Sequence, residues 1–170
     1  MFQKRGFSLI EIVIYVAILA TLSVLAINTI LTMTSTFSKA RIVRRITADA
    51  DGALERIVRE IRLASALNLG ASSLGIDPAH IVLSSARSHS DSAATVKDIG
   101  VVSGRLRLQE GSDPAVFLTS PQTRVTRFQA FRMATTRSEA LKLELTFEAG
   151  AGRNLVQRNF YSTAILRGSY

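Results

Sequence analysis

Lys4-Arg5-Gly6-Phe7-Ser8-Leu9-Ile10-Glu11 opens an apolar run in which, after Glu11, no charge recurs until Lys39. Phe7 to Leu31 gives about 25 mostly apolar residues, enough to cross a hydrocarbon core of about 30 Å as a tilted helix. The basic residues come first and the run is long, so it reads as a membrane anchor. A secretory leader has a shorter apolar region ending at small residues. Glu11 does not belong in such a run. An unpaired ionised carboxylate about one turn inside lipid costs on the order of a few kcal/mol, so a cationic partner or a protonated state is expected.

Four features stand here at fixed spacing: a short basic leader, Gly6, the aromatic Phe7 directly after it, and Glu11 as the fifth residue from Phe7. Together they resemble the processing site of type IV prepilins and type II secretion pseudopilins. The resemblance implies that a membrane prepilin peptidase cuts between Gly6 and Phe7 and methylates the new amino terminus of Phe7. Gly6 suits such a site, since a residue without Cβ lets a protease hold the backbone extended. It also implies that Glu11 forms an assembly salt bridge with the Phe7 amino terminus of a neighbouring subunit. The leader charges Lys4 and Arg5 would then lie in the cytoplasm. The chain would be a single-pass inner-membrane protein with its C-terminal part periplasmic or extracellular, later drawn into a fibre. Lys39, Arg41, Arg44 and Arg45 beyond the span outnumber Lys4 and Arg5, which opposes the positive-inside tendency. The residues alone also fit a plain signal anchor, as in a single-pass receptor or a membrane-tethered enzyme.

A chain of 170 residues has room for one small domain besides the anchor. Its formal charge of +8, less the two leader charges, leaves +6 in side chains after cleavage. A basic surface of that size keeps a protein soluble and also attracts polyanions. There is no cysteine, hence no disulfide and no thiolate metal site.

Neither proline nor glycine occurs between Phe7 and Gly52, so one helix continues past the apolar run. Ile42, Ile46, Ala50, Ala53, Leu54, Ile57, Ile61, Ala64 and Leu67 recur at the three-and-four spacing of a single buried stripe. Glu55 with Arg59 and Arg56 with Glu60 sit four apart on the remaining faces, as small surface supports. Asn68 to Gly70 offers a helix stop, and Gly75 with Asp77-Pro78 a turn. Ile81-Val82-Leu83 is a strand or loop packing, and Ser84 to Thr95, rich in Ser, Ala and Asp, reads as an exposed loop. Strand patterns follow in Arg105–Gln109, Val116–Leu118, Val125–Met133 with a bulge, Leu141–Glu148 and Leu155–Leu166, with Gly150-Ala151-Gly152 as a hairpin loop.

The expected fold class is α+β: a long N-terminal helix, apolar in its first half and amphipathic in its second, packed on a C-terminal antiparallel sheet. The expected organisation is a leader over 1–6, a transmembrane or fibre-core helix over 7–31 and the amphipathic half over 32–68. A helix-to-sheet loop region over 69–103 and the antiparallel sheet over 104–170 complete it. This matches the pilin architecture that the resemblance implies. Major pilins carry a proline and a glycine at positions matching Asn28 and Ala20 here, and their absence implies a minor subunit. The ending Thr163-Ala164-Ile165-Leu166-Arg167 looks most like minor J-type pseudopilins.

No constellation for catalysis is legible, so no enzyme and no cofactor is expected. His80 and His89 lie in turn-like or Ser-rich surroundings without metal-ligand spacing. Asp49, Asp51 and Glu55 read as a solvated helix face and not an EF-hand, although a calcium loop of another type stays open. No phosphate loop occurs, so a separate ATPase on an inner-membrane assembly platform would supply the power. Arg41, Arg44, Arg45, Arg56, Arg59 and Arg62, with Arg105, Arg107, Arg124, Arg127 and Arg132, form a basic series. It reads as a solvated face pairing with acids. The alternative is phosphate contact by Arg41, Arg44 and Arg45, as in a DNA-binding minor pilin of an uptake apparatus. The partners expected are therefore prepilin peptidase, sister pilins or pseudopilins, the platform and membrane lipid, with DNA as the alternative.

Overall fold

Leu9–Leu63 is one α-helix of 55 residues, α1. The computed structural model describes residues 8–88, 91–135 and 138–166, with the side-chain surroundings of 86–88, 91–94 and 153 outside that description. The leader and cleavage-site residues Lys4, Arg5, Gly6 and Phe7, and also His89, lie outside the described residues. The chain divides into two compact units, Met1–Ala40 and Arg41–Tyr170.

In the first unit, every described residue is exposed except Glu11 and Ser38, which are intermediate. Large side chains such as Leu9, Ile10, Leu19, Leu25, Ile30 and Leu31 have no protein cover. The helix is long and apolar enough to cross a membrane. Its polar residues are suited to that place. Every hydroxyl from Thr21 to Thr36 donates back to a helix carbonyl, for example Thr29 Oγ1 to Leu25 O at 2.8 Å and Thr32 Oγ1 to Asn28 O at 2.8 Å. Lipid offers these groups no partner, so the local bonds remove the cost of their burial.

The second unit has its own core. Ile46, Ala50, Ala53, Ile57 and Ile61 of α1 are buried, in the three-and-four spacing read from the sequence. They form one apolar cluster with Ile81, Leu83, Ile99, Leu106, Phe128, Leu141, Leu143, Leu145 and Phe147. A long helix thus packs against antiparallel sheets, an α+β pilin-like fold.

The described residues form two sheets where the sequence suggested one. The first comprises β1 (Ala66–Leu67), β2 (Ile81–Ser88), β3 (Asp91–Val102), β4 (Arg105–Glu110) and β5 (Val116–Phe117), in that spatial order. The second comprises β6 (Arg124–Ala134), β7 (Glu139–Ala149) and β8 (Val156–Ile165), again in order. All pairings are antiparallel. Ser103 at φ 52° and Gly104 at φ 73° join β3 to β4 in a two-residue turn whose positive φ values match the strand twist. The bulge foreseen in β6 is present, between Val125 and Arg127. The turn through Asp77 is stitched to the edge of β6: Gly75 N donates to Ala130 O, Ala79 N to Phe128 O, and Phe128 N to Asp77 Oδ1.

Two boundaries differ from the sequence reading. The helix stops at Leu63, not at 67 or 68, because Ser65 N and Asn68 N donate to Ser84 O and Val82 O and draw the chain into β1. The stretch 69–103, read as a loop region, holds β2 and β3, including the Ser-rich run from Ser84. Small polar side chains build little core, but a β-ladder is held by backbone bonds that any residue can make. Ser85 is in fact buried and donates from Oγ to Leu63 O, covering the helix end.

Candidate functional site

Glu11 sits in the first turns of α1 as the sole acid of the exposed apolar surface. Tyr15 lies one turn on and donates from its hydroxyl to Glu11 Oε1 at 3.3 Å. That is long for an O–H···O bond, so the carboxylate keeps acceptor capacity. Tyr15 was not singled out from the sequence, although its spacing of four from Glu11 is the signal that gives it away. No cation among the described residues forms an ion pair with Glu11.

The three candidate phosphate-contacting residues, Arg41, Arg44 and Arg45, are exposed on α1. They make no ion pair or hydrogen bond with any described residue. Most of the basic series is engaged elsewhere. Arg59 pairs with Glu55 at 3.1 Å, Arg107 with Asp98 at 3.5 Å and Arg132 with Glu139. Arg105 lies 3.9 Å above the Phe117 ring and donates to Thr119 O, and Arg127 donates to Gln129 Oε1. The series therefore does not act as one continuous cationic tract.

Glu60 is a correction. It is not a surface support but is 2% exposed, contacting Arg56 Nε at 2.9 Å and the Lys97 ammonium, itself 12% exposed. Arg56 also reaches Glu110 at 2.7 Å. Two acids and two cations thus tie α1 to β3 and β4. Asp49 accepts from Ser120 Oγ at 2.6 Å, a further tie where the sequence suggested only solvent.

His80 is also more constrained than its turn-like surroundings suggested. Its Nε2 meets Asp98 Oδ1 at 2.6 Å and its Nδ1 meets Ala71 O at 3.2 Å. Nε2 ties the 71–80 loop to β3 and Nδ1 closes the loop on its own start, so the residue is accounted for by structure. Among the described residues no three His, Asp or Glu side chains are grouped to hold a metal ion.

Neither the curated proteins nor the solved structures compared with the chain gave a match. Residues 1–27 match the family model described as the prokaryotic N-terminal methylation motif. The match covers the first 27 of the chain's 170 residues, and the likeness to type IV pilins and pseudopilins rests on that N-terminal segment.

Proposed function

We propose that the protein is a minor pilin or pseudopilin, a structural subunit of a type IV pilus-like or type II secretion fibre. The motif supports a subunit of this class. Its expected course is insertion as a single-pass inner-membrane protein with a cytoplasmic leader, cleavage by prepilin peptidase between Gly6 and Phe7, and N-methylation of Phe7. An assembly platform with its own ATPase then moves Phe7 to Leu31 from lipid into the fibre core among sister subunits.

The observation that carries this reading is an uncovered apolar helix bearing one acid. Leu9, Ile10, Val13 and their successors are exposed in the isolated chain, and only lipid or equally apolar neighbours cover such a surface. Glu11 has Tyr15 beside it but no cation among the described residues. The amino terminus of a neighbouring Phe7 supplies one, and the pair gains from both charges in a low-dielectric core.

Glu11→Gln keeps size and removes the charge. It is expected to insert and to be cut after Gly6, but to enter sister-subunit complexes at well under half the wild-type level. Glu11→Val inserts at least as well, because it removes the lipid penalty, and assembles no better. Crosslinking and co-purification with sister subunits measure both. Assembly of the two variants at wild-type level would show that Glu11 is not the docking charge. The reading as a DNA-uptake pilin rests on Arg41, Arg44 and Arg45 alone.

A further inference from the structure

Arg41, Arg44 and Arg45 are exposed and make no ion pair or hydrogen bond with any described residue; Arg62, Arg124 and Arg158 share this, but only these three sit together just beyond the apolar run. At about 100° per residue they fall within roughly a 100° arc of α1, on the side away from the buried Ile46, Ala50, Ala53 and Ile57. Along the helix they follow directly on an interfacial stretch. Thr32, Thr34, Ser35 and Thr36 satisfy their hydroxyls on their own helix carbonyls, and Phe37 is an exposed aromatic residue. Apart from Glu11 and the Asn28 amide, Leu9 to Phe37 therefore needs no water. At about 1.5 Å per residue such a run has the length of a bilayer including its headgroup layers, roughly 40–45 Å. Arg41 comes about one turn after Phe37.

We propose that Arg41, Arg44 and Arg45 form a binding site for the phosphates of anionic phospholipid headgroups, on the side of the membrane opposite the leader. Three guanidinium groups, each able to grip phosphate with two parallel N–H donors, match that chemistry. The site explains why a basic cluster stands where the positive-inside tendency disfavours it: the cations are neutralised in place by lipid. It rests on membrane insertion with the proposed cytoplasmic leader and is independent of any role in a fibre.

The test uses the full-length chain in phosphatidylcholine nanodiscs doped with phosphatidylglycerol, with retained lipids counted by native mass spectrometry. The triple variant Arg41→Gln, Arg44→Gln, Arg45→Gln is the comparison, and both proteins keep Lys4 and Arg5. Wild type is expected to retain phosphatidylglycerol over phosphatidylcholine, the triple glutamine variant to lose at least about tenfold of that preference, and the triple lysine variant to keep most of it. Thermal unfolding of the three proteins should coincide, since the side chains touch no core. Equal phosphatidylglycerol retention by wild type and the glutamine variant would overturn the proposal. So would a wild type that shows no lipid preference yet binds a 20-base-pair DNA duplex through the same arginines.

Discussion

Glu60→Ala is expected to destabilise the Arg41–Tyr170 unit by about 3–5 kcal/mol, the range for removing one partner of a buried ion pair. The reason is the charge left behind. Lys97 is 12% exposed and, among the described residues, keeps only Glu110, at 3.9 Å, as an acid within reach. At about 3–5 °C per kcal/mol for a unit of this size, the melting temperature should fall by about 10–20 °C. A companion variant separates loss of charge balance from loss of packing. Glu60→Leu with Lys97→Met removes both charges and fills similar volume, so it should recover most of the stability and can match wild type. Differential scanning calorimetry checks both. A fall below about 1 kcal/mol in the single variant would show that Glu110 and water already neutralise Lys97.

Gly150→Ala should be nearly as damaging, by more than about 2 kcal/mol, through backbone strain and direct collision. Gly150 has φ of +96°, and a Cβ there would stand 2.3 Å from Asn154 O and 3.0 Å from Ile42 Cδ1. The Asn154 atom is backbone of the Gly152–Asn154 turn and cannot swing aside. The β7–β8 hairpin would have to open. Gly152 is the control: its φ is +55° but nothing lies within 4 Å, so Gly152→Ala should cost only the left-handed preference, about 1–2 kcal/mol. Chemical denaturation of the two variants measures the difference, and equal losses would refute the collision.

The legible and illegible parts of the fold divide by the range of the interactions. The stripe through Ile46, Ala50, Ala53 and Ile57 and the alternation in Leu141, Leu143, Leu145 and Phe147 are periodic, and both are buried as read. The β6 bulge and the β7–β8 hairpin follow from local pattern. The split into two sheets does not, because nothing in Arg105–Glu110 states that its neighbour is Asp91–Val102 and not β6. The burial of Glu60 was hidden for the same reason. Four-residue spacing makes it a surface partner of Arg56, and only Lys97, 37 residues away, gives it a buried one. Ser84 and Ser85 failed to announce a strand because composition reports core-forming capacity, whereas β2 draws on ladder bonds to β1 and β3. At the candidate site, Glu11 was conspicuous because a charge in an apolar run is improbable by itself. That Arg41, Arg44 and Arg45 pair with no described residue emerged only from the structure.

The central claim, a subunit processed at its N terminus before assembly, is tested most directly by the mass of the chain recovered from membranes of cells with active prepilin peptidase. Cleavage between Gly6 and Phe7 with methylation predicts a chain that begins at N-methylated Phe7 and lacks Lys4 and Arg5. In cells without the peptidase, the same chain should begin at Met1. A chain that begins at Met1 in both would contradict the assignment.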